Sequence, residues 1–304
     1  MALFRGHHPR LARRIKPAGT DTVSPQPQQS ILLPPLPATK ISTTSLWNPR
    51  NEREPDMSEI GRLLGAGKEA EVFEHGTLAL KLYRPGRPKA PAFREAANLA
   101  IAEKLSLPAP RVHVVGDYHG RWGLLMDRVT GTSLADEMTP EPPLSDIKQM
   151  AALHQRLHHE PGTGLPSLKA RLSIHIRQAK DLQHALRDRL LADLQALPDG
   201  DRLCHFDFHP WNILGAGIDM TIIDWLDACS GNPAADVCRT YLLLRRALPS
   251  IAEAYVVTYA KGSDISSEKI FAWLPVISAA RLAENVPEEN EDLLHLAALA
   301  PVKE

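Results

Sequence analysis

The spacing of apolar residues changes once along this chain, near Gly131, and that change limits its fold more than any other feature. From residue 58 the pattern alternates, in Ala70-Glu71-Val72-Phe73-Glu74 and again in Leu78-Ala79-Leu80-Lys81-Leu82-Tyr83. A period of two is that of a strand with one covered face. Glu74-His75-Gly76-Thr77 supplies a turn between the two runs, which predicts a hairpin. A Pro-rich stretch over 84–91 leads into a predicted helix from Phe93 to Leu105, ended by Pro108, and two further strands follow at Arg111 to Val115 and Trp122 to Met126. Beyond Gly131 the period is helical. Ile147, Met150, Leu153 and Leu157 share one face, with Ser145 as the expected cap. Residues 167–196 read as one long helix or a helical pair closed by Pro198 and Gly200, and a short strand pair flanks 203–224. Helices are predicted over 234–247, 251–261, 267–285 and 288–299. The expected fold class is α+β: a small β-rich lobe, a short hinge and a larger, mostly helical lobe, with a ligand cleft between them.

Three segments follow from this reading. Residues 1–57 hold nine of the 26 prolines and have no periodic apolar face, so they are expected to be a disordered extension. Its Arg-rich, acid-poor start, with Arg5, Arg10, Arg13, Arg14 and Lys16 ahead of Asp21, is also one composition of a targeting segment, and Met57 is an alternative start. Residues 58–129 form the expected N-lobe and hinge, and 130–304 the C-lobe. A net charge of -1 gives no field for nucleic acid. The absence of any apolar run of about 18 residues argues against a membrane helix. Three cysteines, none in C-x-x-C spacing, suit a reducing cytoplasm better than a disulfide framework, and Cys204, Cys229 and Cys238 are expected to be small buried hydrophobes. Nothing in the pattern speaks to oligomeric state.

The chemistry concentrates in His205-Phe206-Asp207-Phe208-His209-Pro210-Trp211-Asn212 and in Ile222-Ile223-Asp224-Trp225. Phosphoryl transfer needs a carboxylate to orient and deprotonate a hydroxyl, oxygen ligands for magnesium, and a cation on the phosphates. Asp207 suits the first role, and Asn212 with Asp224 the second, since magnesium takes hard oxygen donors and keeps several waters. Lys81 lies among apolar residues of a strand and must find an anion or reach solvent; Glu95 on the next helix is a partner for it. Gly65-Ala66-Gly67-Lys68 fails the P-loop pattern, because Arg62 stands at the first glycine position and Glu69 at the hydroxyl position. It also fails the dinucleotide fingerprint, because alternation continues into Val72 and Phe73 where a helix is required. A glycine-rich loop over ATP phosphates is the better account, with a plain hairpin turn as the simpler one.

With these residues in this order, the chain from about Gly61 to Leu299 resembles the aminoglycoside phosphotransferase and choline-kinase-like group, relatives of protein kinases. The resemblance implies a bilobal protein-kinase-like fold, with ATP and Mg2+ as cofactors and a small-molecule hydroxyl acceptor such as an aminoglycoside or amino alcohol. By the same resemblance Asp207 is the base, Asn212 and Asp224 hold the metal, and Lys81, steadied by Glu95, contacts phosphates. Gly65 and Gly67 cover them, and the backbone of Asp127 and Val129 binds adenine. Asp236 braces the catalytic loop, with His205 and His209 in support. The group usually has Gly where this chain has Phe206, which narrows the acceptor side.

Asp227, Glu284, Glu288, Glu289, Glu291 and Asp292 form a local excess of acid that suits a cationic acceptor; the plainer account of the last four is a solvated first turn after Pro287. His158 and His159 are expected on an exposed helix end. Two other readings compete. One is an iron or zinc site made by His205, Asp207 and His209. The other is a pseudokinase scaffold that keeps the fold without the chemistry. Deleting residues 1–56 is expected to leave melting temperature and nucleotide binding nearly unchanged; a large drop in melting temperature would show that the extension packs on the core.

Overall fold

The computed structural model describes residues 60–138 and 144–300, the side chain of Ile218 aside. The extension expected over 1–57 lies outside the described residues. An antiparallel sheet comes first, built from β1 (Ile60–Ala66), β2 (Ala70–His75), β3 (Leu78–Tyr83), β4 (Val112–Tyr118) and β5 (Arg121–Asp127) in the order β1-β2-β3-β5-β4. The hairpin of β2 and β3 and the two later strands, β4 and β5, fall close to where the sequence predicted them, and β1 is an additional strand. β3 is central, and Lys81 lies opposite Val72 on β2 and Leu124 on β5. Leu80 and Leu82 pack with Tyr118 and Leu125 in one apolar cluster, while Tyr83 and Leu124 join Ala70 and Ala92 in another.

The helix between β3 and β4, α1 (Ala90–Lys104), begins three residues before the predicted start. Pro91 sits in its first turn, where no N–H is needed, so the proline opens the helix instead of preceding it. Its Asn98 Nδ2 donates to the carbonyl of Trp225 at 2.8 Å, which ties the sheet lobe to the helical lobe.

The remainder is mostly helical: α2 (Leu134–Glu137), α3 (Leu144–His159), α4 (Leu168–Gln178), α5 (His184–Ala196), α6 (Pro233–Ala247), α7 (Pro249–Lys261), α8 (Ser267–Phe271), α9 (Leu274–Arg281) and α10 (Asn290–Ala298). Short strand pairs, β6 (Arg202–Cys204) with β9 (Cys229–Gly231) and β7 (Ile213–Leu214) with β8 (Thr221–Ile222), frame the polar segment. Residues 167–196 are a helical pair. The helix predicted over 267–285 is broken, because Pro275 opens a new helix and has no N–H for the old one. Ser145 lies inside α3, with its hydroxyl on the Asp146 carboxylate, and does not cap it. One continuous core joins Ala79, Leu99 and Met126 of the sheet lobe to Met150, Phe208, Trp225, Tyr255 and Trp273 of the helical lobe. All three cysteines are buried and free.

Gly123 marks the tightest approach of β5 to β3: a Cβ there meets the Lys81 carbonyl oxygen at 2.6 Å and Leu82 Cδ2 at 2.7 Å. Gly123→Val is therefore expected to destabilise the protein by about 1–3 kcal/mol through overpacking, read by chemical denaturation, and to displace the strand carrying Lys81.

Candidate active site

Lys81 is nearly fully buried, and a buried ammonium has to be paired. Its Nζ lies 2.7 Å from Glu95 Oε1 and 3.0 Å from Asp224 Oδ1, and Tyr83 Oη donates to Glu95 Oε2 at 2.6 Å. Burial works against the charged lysine, but the two carboxylates outweigh it and its pKa is raised. One cation thus joins β3, α1 and the turn after β8. Asp224 is itself in the left-handed region at φ 61°, where Trp225–Asp227 turn sharply away. Its side chain is 42% exposed, so a carboxylate edge still faces outward.

The loop that carries Asp207 hangs from a second buried carboxylate. Asp236, in the first turn of α6, accepts the His205 N–H at 2.7 Å on Oδ2 and the Phe206 N–H at 2.9 Å on Oδ1. These bonds hold Phe206 at φ 64°, a conformation costly for a bulky residue. Asp207 follows directly. Asn212 Nδ2 donates to Asp207 Oδ2 and to its backbone oxygen, both at 3.0 Å, and lies 3.2 Å from His209 Nε2. With Nδ2 so engaged, the Asn212 amide oxygen is left without a protein donor among the described residues. Burial opposes ionisation of Asp207, but His209 and then Arg239 and His205 hold its carboxyl well below the usual range. His209 Nε2 is 3.6 Å from Asp207 Oδ2.

The structure therefore brings together Lys81, Glu95, Asp224, Asp207, Asn212, His209 and Asp236, and treats the other expected residues differently. Both ring nitrogens of His205 are buried without a partner and its ring packs edge-on to Trp225, so His205, Asp207 and His209 do not assemble a metal triad. Gly65 and Gly67 flank a tight turn closed by the Gly67 N–H on the Ala70 oxygen at 2.8 Å. Neither has positive φ. A Cβ on Gly65 would meet nothing within 4 Å, and one on Gly67 only the Ala70 oxygen at 3.7 Å. The bare backbone is thus not required by the fold. At the end of β5, Asp127 engages His113 Nε2 at 2.7 Å and commits its N–H to the Arg111 oxygen, and Val129 lies half-buried in the link to α2.

Much of the acid excess read from the sequence is met by arginine in the fold, while the side chains of Glu288 and Glu291 stay at the surface. Asp227 Oδ1 lies 2.5 Å from Arg171 Nη2, Glu284 is bonded by Arg239 and Arg281, Glu289 by Arg281, and Asp292 by Arg245. Glu288 is exposed, and its backbone oxygen accepts from Arg246. Every arginine here is distant in sequence from its acid or on a preceding helical turn, so a stretch without basic residues is not a region without bases.

Residues 61–271 match the sequence model of the phosphotransferase enzyme family. The chain belongs to that family. No curated protein matches the sequence of this phosphotransferase. Among solved structures, an aminoglycoside-3'-phosphotransferase of type VIII is similar over 73% of this chain and 90% of its own, with 20% identity and a TM-score of 0.54. A thermostable mutant of aminoglycoside phosphotransferase APH(4)-Ia, in ternary complex with AMP-PNP and hygromycin B, is similar over 78% and 89%, with 17% identity and a TM-score of 0.58. Choline kinase LicA from Streptococcus pneumoniae is similar over 77% and 86%, with 15% identity and a TM-score of 0.55. Identities this low carry the kinase-like fold and leave the acceptor open.

Sequence reasoning missed a layer of this phosphotransferase behind the loop. His154 and His158, one turn apart on α3, both place Nε2 on Asp236 Oδ2, at 3.1 and 3.2 Å. Their Nδ1 atoms meet Tyr255 Oη at 2.5 Å and Tyr259 Oη at 2.7 Å. His158 was expected at an exposed helix end, but α7 covers it through Tyr259. The i, i+4 spacing of the two histidines on an otherwise apolar face was the available signal. Among the described residues, His154, His158 and Asp236 are also the cluster whose ligand atoms converge closely enough for a metal ion. Hydrogen bonds already satisfy them, with Asp236 Oδ2 taking three donors.

Burial, and then the neighbouring His158, lowers the His154 pKa from 6.5 to about 4 against the pull of Asp236. The folded chain refuses a proton that the unfolded chain takes up below about pH 6.5. The stabilisation is complete above that pH and is lost as pH falls toward 4, by on the order of 3 kcal/mol. Denaturation midpoints are expected to drop across this window in the native chain and to drop less in His154→Gln, which cannot titrate. Parallel curves would show that His154 is not the group responsible.

Proposed function

We propose that this phosphotransferase moves the γ-phosphoryl group of ATP, taken as its magnesium complex, to a hydroxyl group of a small molecule. The observation that carries the reading is the buried Lys81 ammonium held between Glu95 and Asp224. The pairing brings a fixed cation from the sheet lobe to a carboxylate of the helical lobe, on the side of the chain where Asp207 and Asn212 meet. Phosphoryl transfer is mostly positioning and electrostatics, and this arrangement supplies both without moving parts.

The residues fit the implied groups. The Asn212 amide oxygen, without a protein donor among the described residues, and the exposed edge of the Asp224 carboxylate are hard oxygen donors of the kind magnesium takes. Bound there, the metal would neutralise charge on the transferring phosphates. Lys81, already anchored by Glu95, offers its charge to phosphate oxygens. The open space beside Gly65 and Gly67 leaves room for phosphate oxygens over the turn, whose Gly67 N–H is itself held by the Ala70 oxygen. Asp127 ends the strand paired with the one that carries Lys81, and adenine would lie against the backbone from Asp127 to Val129. Asp207, ionised because its pKa is depressed, accepts the acceptor's hydroxyl hydrogen bond and orients the oxygen. That oxygen bonds to the γ-phosphorus, the bond from phosphorus to the β,γ-bridging oxygen breaks to leave ADP, and the proton passes to Asp207. A carboxylate this acidic takes the proton only as the new bond forms, which suits a loose transition state. Three unpaired buried cysteines and ATP as substrate agree with a cytoplasmic setting.

Asp207→Asn is expected to lower turnover on the order of 10²- to 10⁴-fold while magnesium–ATP still binds, and Asp224→Ala to weaken magnesium-dependent nucleotide binding more than Asn212→Ala does. ADP release and nucleotide affinity measured on the same preparations check both. Undiminished turnover by Asp207→Asn, or turnover that survives EDTA, would remove the reading.

A further inference from the structure

Arg239, on α6, is a buried cation with too few partners. The residue is 3% exposed, and its one hydrogen bond among the described residues runs from Nη2 to Glu284 Oε1 at 2.8 Å. Its Nε is buried with no acceptor. A guanidinium presents five N–H donors, and removing it from water without acceptors is expensive. Its position gives the shortage meaning. The Arg239 guanidinium carbon lies 5.8 Å from the centre of the Phe206 ring, and that of Arg171 lies 5.4 Å from the same ring. Phe206 immediately precedes Asp207, so the two cations flank the side chain next to the proposed base. Phe206 also keeps a left-handed backbone there, a strain that glycine would avoid. Replacing glycine by a ring that stacks two guanidinium groups uses this corner of the site to hold positive charge in place.

The neighbouring acids do not cancel the argument. Asp227, Glu284 and Glu289 have six carboxylate oxygens, and Asp227 Oδ1 with all four of the glutamate oxygens already faces a guanidinium. A cationic acceptor would have to displace an arginine from nearly every one of them. An anionic group only has to reach Arg239 Nε. Arg281 is more fully engaged, with one hydrogen bond each from its Nε, Nη1 and Nη2 to Glu284 and Glu289.

We infer that Arg239, with Arg171 and the Phe206 ring, forms the acceptor-recognition face beside Asp207, and that the acceptor is a hydroxyl compound carrying an acidic group, a carboxylate or a phosphate ester. The inference rests on the phosphotransfer reading above and adds the acceptor's charge to it. The acidic oxygen takes the Arg239 Nε–H and places the hydroxyl against Asp207, while the aliphatic part of the acceptor lies along Phe206. Large polycationic acceptors are disfavoured twice, by the ring that narrows the corner and by the paired carboxylates.

The test uses four three-carbon acceptors of one frame: glycerate, glycerol 3-phosphate, glycerol and 3-amino-1,2-propanediol. Each is assayed with magnesium–ATP for ADP release, and each is titrated into the AMP-PNP-loaded full chain by calorimetry. At least one acid is expected to exceed the neutral and cationic compounds by about tenfold or more in kcat/KM, or in affinity where turnover is too slow to read. Arg239→Met should raise the KM or Kd of that acid by about tenfold or more and leave the KM of ATP unchanged. Because Arg239→Met removes a partner of Glu284 and threatens folding, Arg171→Gln is measured beside it, with the same direction expected. Acids that bind and react no better than glycerol or the amine overturn the inference, and so does an acid preference that survives both substitutions. The two readings fail separately: magnesium–ATP binding without preference for acids sinks the acceptor assignment alone, whereas a chain that binds no magnesium–ATP sinks the phosphotransfer reading and this inference with it.

Discussion

The rest of the site depends on a carboxylate that never meets water. Asp236 receives four donors: two backbone N–H groups from the catalytic loop and two imidazoles from α3. Burial alone would favour the neutral acid, yet His154 and then His158 lower its pKa, so the charge is retained. A buried charge stripped of one partner costs about 3–5 kcal/mol, which is why such a network has few alternative arrangements. Its geometry fixes the backbone of residues 205 and 206, and hence the origin from which Asp207 and Asn212 project. The tyrosines of α7 fix the imidazoles in turn, so the loop is oriented from three helices and two layers back.

A second ion cluster sets the relation between the lobes. Lys81 is reached from the helix on one side and from the turn after β8 on the other, and Asn98 adds a bond from the same helix to the backbone beside Asp224. The lobes also share one apolar core. The candidate site is therefore framed by a pinned cation from the sheet lobe and a pinned loop from the helical lobe. Lys68, at the tip of the glycine turn, reaches the Glu284 carbonyl and brings that turn to the helical lobe as well.

The proposed acceptor side is organised by arginine. Arg171, Arg239 and Arg281 come from three helices and meet acids from two other segments, so the region is nearly neutral by count and strongly structured in detail. Two of these guanidiniums stack on a phenylalanine whose backbone is held in an unfavourable conformation by Asp236. The loop network and the acceptor side are thus coupled through one residue, Phe206.

The sequence by itself determined the fold class and the order of most elements, and it marked the residues on which the proposed chemistry rests. Alternation placed β2 and β3, which are largely covered, and β4 and β5 were also expected, whereas β1, exposed along most of its length, was not singled out; helical spacing placed the helices of the second lobe because one face of each is buried. Lys81 was legible because a lysine inside an apolar strand requires an anion, and Asp207, Asn212 and Asp224 because their side chains and spacing match magnesium-assisted phosphoryl transfer. What the sequence misplaced were features set by partners remote along the chain. His158 looked exposed until α7 covered it, His205 looked like a ligand until its ring turned into the core, and the acids from Asp227 to Asp292 looked unpaired until Arg171, Arg239, Arg245 and Arg281 arrived. Local periodicity reports which face of an element is covered, and it contains no information about which charge from another element lies opposite. Only the tertiary structure decided that, because ion pairs between segments some 50 residues apart are fixed by the packing of helices and not by the residues that flank them.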